Sequence, residues 1–142
     1  MRADTASAIV RIDPPANMPL TCLIVDDNAR FREEARALLE EQGIEVVGAV
    51  ASSNEAVEQA IGLAPDIALV DIDLGGESGL DLASRLRSDA VGPLQVILIS
   101  IHDESEYADL IAASAAVGFV AKTDLSAQAI ACVLASAGGE TV

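Results

Sequence analysis

Five polar residues close four apolar runs in this chain. Asp26 and Asp27 follow Leu23-Ile24-Val25, and Asp71 follows Ile67-Ala68-Leu69-Val70. Ser100 follows Val96-Ile97-Leu98-Ile99, and Lys122 follows Gly118-Phe119-Val120-Ala121. Three carboxylates brought together repel one another and raise each other's pKa unless a cation neutralises them. An all-oxygen donor set of this size suits Mg²⁺, which keeps several waters and shares its coordination with a phosphoryl oxygen. A lysine and a hydroxyl beside it suit the phosphoryl group itself. The chemistry indicated is a divalent cation plus a phosphoryl group.

These residues meet only if the runs that precede them end along one edge. Strands are expected at Thr21 to Val25, Val46 to Val50, Ile67 to Val70, Gln95 to Ile99 and Gly118 to Ala121. Helical spacing fills the intervals. Phe31, Ala35, Leu38 and Leu39 share one face of a first helix that Gly43 ends. Val57, Ala60, Ile61 and Ala64 mark a second helix, which begins after Ser53 and stops at Pro65. Leu82, Ala83 and Leu86 mark a third, after a loop containing Gly75, Gly76 and Gly79. A fourth near Ser105 to Ala116 carries Tyr107, Leu110 and Ile111 on one side, and Ile130, Val133, Leu134 and Ala137 define a fifth. This alternation predicts an α/β fold, a doubly wound five-stranded parallel sheet flanked by five helices. In such sheets the carboxyl ends of the strands form the edge where ligands bind.

Composition bounds the rest. A chain of 142 residues is expected to hold one domain, and its 51% hydrophobic content suffices for a core. Only 2% of residues are aromatic, so that core is Ala, Leu, Ile and Val, as helices on a buried parallel sheet require. A formal net charge of −15 argues against direct DNA binding, because phosphate contacts need clustered Lys and Arg. Cys22 and Cys132 show no metal spacing and read as small buried apolar side chains. No stretch is long and apolar enough to span a membrane, and no secretory signal is evident, so a cytoplasmic location is expected. Residues 1–19, with Pro14, Pro15 and Pro19, read as a disordered tail; the domain is expected over 20–137, with a short tail at 138–142.

The stretches Leu23-Ile24-Val25-Asp26-Asp27-Asn28, Ala68-Leu69-Val70-Asp71-Ile72-Asp73-Leu74, Val96 to Ser100 and Gly118 to Lys122 together resemble the receiver domain of two-component response regulators. Phe31-Arg32-Glu33 and Glu45-Val46-Val47-Gly48 further resemble the subgroup that usually carries a LuxR-type helix-turn-helix output. The resemblance implies a flavodoxin-like strand order 2-1-3-4-5. It implies that Asp71 is the phosphoacceptor for a sensor histidine kinase. Asp26, Asp27, Asp71 and the backbone carbonyl of Asp73 would hold Mg²⁺, and Lys122 would pair with the phosphoryl oxygens. Ser100 would swing toward the phosphoryl group and Phe119 would reorient with it, remodelling a face of the fourth helix, fifth strand and fifth helix. That face would receive an unknown downstream protein or form a homodimer. Asp73 and His102, the only histidine, flank the expected path of hydrolytic water and would set the phosphoryl lifetime.

Three departures from the family pattern stand out. Ile101 occupies a position usually held by a small residue, where a bulky side chain would slow the phosphodonor. Thr123 follows the lysine, and Gly75 replaces a common proline, which would loosen the loop after Asp71. Only five residues follow Ala137, which leads to the expectation of a stand-alone receiver, not an enzyme on other substrates, that signals by protein contact. Two alternatives stay open. One is a receiver-like binding module that works without phosphorylation. The other is a haloacid-dehalogenase-type phosphatase built on Asp71-Ile72-Asp73, although that motif belongs on a first strand.

Overall fold

The computed structural model describes residues 20–89, 94–102 and 107–139. Five strands, β1 (Thr21–Val25), β2 (Glu45–Val50), β3 (Ile67–Asp71), β4 (Gln95–Ser100) and β5 (Gly118–Ala121), form one parallel sheet in the order β2-β1-β3-β4-β5. The helices are α1 (Ala29–Glu41), α2 (Ser53–Leu63), α3 (Gly79–Asp89), α4 (Ala108–Ala112) and α5 (Ala127–Gly139). The doubly wound fold and its strand order are as the sequence predicts. Helix α5 runs through Gly139, so the expected domain end at Ala137 falls inside it. The expected tail over residues 1–19 lies outside the described residues.

Strand side chains alternate between two apolar layers, as period-two geometry requires. Leu23, Val25, Ala68, Val70, Val96 and Leu98 face α2 and α3, meeting Ala56, Ala60, Leu82, Ala83 and Leu86. Cys22, Ile24, Ile67, Leu69, Ile97 and Ile99 face the opposite way, onto Ala35 and Leu39 of α1 and Ile130 of α5. With both faces covered, the central strands must be apolar throughout, which is why they read as continuous runs.

Local differences from expectation have local causes. The cap of α2 is Ser52, whose Oγ accepts the Glu55 N–H at 3.3 Å, and Ser53 is already helical. That start turns Ser53, Ala56 and Ala60 inward, whereas Ile61 is 48% exposed and Ala64 lies beyond the helix at φ 47°. Helix α4 ends at Ala112 rather than near Ala116, where Ser114 intervenes: its Oγ donates to the Ile111 carbonyl at 2.7 Å and accepts the Ala116 N–H at 3.2 Å; the expected start near Ser105 lies outside the described residues. Tyr107 and Ile111 pack on the core, but Leu110 is exposed. Among the described residues, no helix is long and apolar enough to cross a membrane.

The loop after β3 is more ordered than its glycines suggest. Asp73–Leu74 pairs antiparallel with Glu77–Ser78 in a two-stranded ribbon. Gly75 and Gly76 turn it with φ of 61° and 104°, the sign that a tight hairpin of this kind demands at both central residues. A proline, fixed near φ −65°, has no place at position 75. The expected loosening of this loop is therefore corrected: Gly75 closes a defined turn.

Candidate functional site

The register of the sheet brings the polar residues to one edge. Val25 of β1 pairs with Val70 of β3, so Asp26 and Asp71, one residue on, stand at the same level. Asp71 pairs with Ile99 of β4, and Ser100, the next residue, pairs with Ala121 of β5, directly before Lys122. Asp71 and Ser100 are the last residues of their strands, not the first of their loops, and both are buried. Asp26 is completely buried.

The N-terminus of α1 secures Asp26. Asn28 caps the helix, its Oδ1 accepting the Phe31 N–H at 3.1 Å, while its own N–H donates to Asp26 Oδ1 at 2.8 Å. Arg32 Nη1 donates to the Asp26 carbonyl at 2.7 Å, and the Asp26 N–H donates to the Val50 carbonyl at 3.0 Å. Asp26 Oδ2 is different. It is buried, and its partner is the Lys122 ammonium, with Nζ at 2.6 Å.

Lys122 Nζ also donates to Asp71 Oδ2 at 3.0 Å, and Asp71 Oδ1 accepts the Asp73 N–H at 3.0 Å. One ammonium thus serves two carboxylates. Burial pushes the Asp71 carboxyl above the usual range; the Asp73 amide and Lys122 pull it down, and the Asp26 charge pushes it up again. Burial by itself would depress Lys122, but the Asp26 and Asp71 carboxylates raise it, so it carries its charge.

Asp27 is the exposed member of the acidic group. Oxygen atoms of Asp26, Asp27 and Asp71 all lie within 4.8 Å of one another, close enough to share one cation. Gly75 makes room for this: a Cβ there would stand 2.6 Å from Asp27 Oδ2. Gly79 does the same for the strand, since its own Cβ would collide with the Asp71 carbonyl. The Gly79 N–H donates to the Ile72 carbonyl at 2.8 Å. The fit to a hard cation such as Mg²⁺ rests on that clustering of three carboxylates, whose charge one lysine does not balance.

The remaining predicted residues surround this centre. Ser100 Oγ accepts the His102 N–H at 3.1 Å. The His102 ring meets Tyr107 edge-on with centroids 6.1 Å apart. Phe119 pairs with Leu98, two residues before Ser100, and so lies on the same side of the sheet as Ser100, packed against the core with Tyr107 and Ile111. It also lines a groove of about 390 Å³ with Val120, Ala121, Asp124, Ala129, Cys132 and Val133. Asp73 is exposed and reaches the centre through its backbone amide, and its side chain is no part of the acidic cluster. Ile101, next to Ser100, is 73% exposed. Cys132 is exposed rather than buried, whereas Cys22 is buried as expected.

Several residues at the site escaped the sequence reading. Arg32 anchors a backbone carbonyl, which leaves no pattern in sequence. Asn28 was legible in principle, as an Asn before a helical run is a capping signal. Phe31 reads as core from its helical spacing, yet its ring also lies over Lys122, 4.5 Å from Nζ.

Known proteins share this arrangement. The family model for the response regulator receiver domain matches residues 22–132. The nitrate/nitrite response regulator protein NarP of Escherichia coli is 32% identical over 129 residues, which is 90% of this chain and 60% of that protein. The transcriptional regulatory protein PdtaR of Mycobacterium tuberculosis is 34% identical over 85 residues, 60% of this chain and 42% of that protein. The signal receiver domain of the NarL response regulator from Mycobacterium tuberculosis superposes with a TM-score of 0.72 at 30% identity, covering 85% of this chain and 98% of that one. The chain thus spans three fifths or less of the length of these two full-length relatives. On sequence, fold and the acidic edge alike, the chain belongs to the response regulator receiver domain family of two-component systems.

Proposed function

We propose that the chain accepts a phosphoryl group from a sensor histidine kinase on Asp71 and signals through protein contact. The observation that carries this reading is the Asp71 carboxylate, buried at the ligand edge with Lys122 on Oδ2 and the Asp26 and Asp27 carboxylates beside it. An Asp71 oxygen attacks phosphorus, the bond from phosphorus to the kinase imidazole nitrogen breaks, and that nitrogen keeps the electron pair. Lys122 pairs with the phosphoryl oxygens as charge builds on them. Asp26, Asp27, Asp71 and the Asp73 backbone carbonyl would hold Mg²⁺, which would supply positive charge at the same place. The chain is the phosphoacceptor in this reading, not an enzyme acting on other substrates.

Phosphorylation then adds charge and acceptor oxygens within reach of Ser100. Ser100 exchanges the His102 amide for a phosphoryl oxygen, and Phe119, on the same side of the sheet, moves toward the space it leaves. The groove beside Phe119, between β5 and α5, changes shape and carries the signal to a downstream protein or a second copy. Asp73 and His102 flank the phosphoryl group and set its lifetime. The work is that of a cytoplasmic receiver whose own residues make no direct DNA contact at net charge −15.

The test is incubation with acetyl phosphate and Mg²⁺ followed by intact mass. One phosphoryl adduct is expected, lost when EDTA replaces Mg²⁺ and lost in Asp71→Asn. A wild-type protein that stays unmodified, with acetyl phosphate and with kinase phosphodonors alike, contradicts the proposal.

A further inference from the structure

The Phe31 ring faces the Lys122 ammonium, with Nζ 4.5 Å from the ring centroid. This distance lies well within the range in which a ring quadrupole attracts a cation. The ring is half-buried and packs against the core layer formed by α1 and α5. Its position is fixed by the same cap that fixes the acidic end of β1. Asn28 Oδ1 accepts the Phe31 N–H, and the Asn28 N–H donates to Asp26 Oδ1. Ring and carboxylate are therefore set by one residue.

Lysine needs such a constraint here. Its stem carries four methylenes, and its ammonium is a point charge with three freely rotating donors. Asp26 and Asp71 claim the ammonium from one side, at 2.6 and 3.0 Å. Between two like anions, nothing in the ion pairs alone decides how far the ammonium leans toward either. A ring face does not compete as a hydrogen-bond acceptor, attracts the cation and keeps water off it.

We infer that Phe31 is a positioning residue, whose ring holds the Lys122 ammonium over the Asp26–Asp71 pair where it meets the incoming phosphoryl group. This rests on the phosphoacceptor role proposed for Asp71, because only then does the placement of the lysine govern a rate.

The test pairs Phe31→Leu, which keeps apolar bulk against the core, with Phe31→Tyr, which keeps the ring face. Phe31→Leu is expected to slow phosphorylation by acetyl phosphate about tenfold, as loss of a partly desolvated cation–ring contact implies. Phe31→Tyr restores the rate that leucine loses. In a Lys122→Ala background, Phe31→Leu slows the residual reaction no further, the non-additivity of two groups acting as one. In unphosphorylated wild type, the Lys122 Hε resonances are shifted upfield by the ring current, and Phe31→Leu abolishes that shift. Equal slowing by Phe31→Leu with and without Lys122 would mark a core role only and overturn the inference. Unshifted Lys122 resonances in wild type would overturn it as well. A wild-type protein that takes no phosphoryl group overturns the phosphoacceptor reading instead, while the Lys122 resonances still decide the placement of the ring.

Discussion

Lys122 Nζ lies 3.0 Å from Asp71 Oδ2, joining residues 51 positions apart. The same ammonium stands 2.6 Å from Asp26 Oδ2. One cation thus neutralises parts of two buried carboxylates, and the site holds more negative charge than its own residues balance. Removing that cation leaves both anions buried and unpaired. Lys122→Ala is expected to destabilise the metal-free protein by about 3 kcal/mol. Urea unfolding in EDTA checks this, and an unchanged midpoint contradicts it.

The complementary change removes an anion. Burial holds the Asp71 carboxyl above its ordinary value of 3.8, so the folded protein binds its proton at a higher pH than the unfolded chain does. Between 3.8 and the raised value, stability therefore increases as pH falls, and above that window the ionised Asp71 is a cost. Asp71→Asn is expected to raise Tm by a few degrees at neutral pH in EDTA. The gain should vanish below pH 3.8, where Asp71 is protonated in both states, and should shrink in saturating Mg²⁺. Thermal unfolding across pH and metal measures it.

The two glycines near Asp71 separate folding from cation binding. Gly79→Ala drives a Cβ into the Asp71 backbone, which has no rotamer to escape with, and is expected to cost about 2–3 kcal/mol. Gly75→Ala pushes only against the exposed Asp27 carboxylate, with about 1–2 kcal/mol of left-handed backbone strain. Its main effect should be weaker Mg²⁺ binding. Calorimetric titration with Mg²⁺ distinguishes the two variants, and equal affinity in Gly75→Ala and wild type would count against Asp27 as a ligand.

The cysteines should differ sharply. Burial pushes the Cys22 thiol up to about 12, while Cys132 is exposed. Iodoacetamide on the folded protein is expected to alkylate Cys132 alone, because the thiolate is the nucleophile. Denaturation adds the second label. Between the ordinary thiol value of 9.0 and about 12, the unfolded chain loses its Cys22 proton first, so stability should fall as pH rises through that range. Peptide mass mapping reads out the labels.

The sheet and the acidic edge were legible in sequence because buried parallel strands are apolar along their whole length and stop abruptly. Asp26, Asp71 and Lys122 stand at those stops, and strand order then brings them together. Side-chain direction was less legible. Ile61 reads as core by spacing, yet α2 packs through Ser53, Ala56, Val57 and Ala60, and Ile61 falls at the margin of that face, 48% exposed. Gly75 reads as slack and proves to be a turn with positive φ against Asp27. Phe31 satisfies a helix-face pattern whether or not a lysine lies beyond it, so periodicity cannot reveal its second contact.

The most direct measurement is chemical localisation of the adduct. Borohydride reduces an aspartyl phosphate to homoserine, which peptide mass spectrometry then locates. After treatment with acetyl phosphate and Mg²⁺, homoserine is expected at position 71 and nowhere else. Homoserine at position 26, 27 or 73, or none under conditions that phosphorylate a control receiver, would contradict the assignment of Asp71 as the phosphoacceptor.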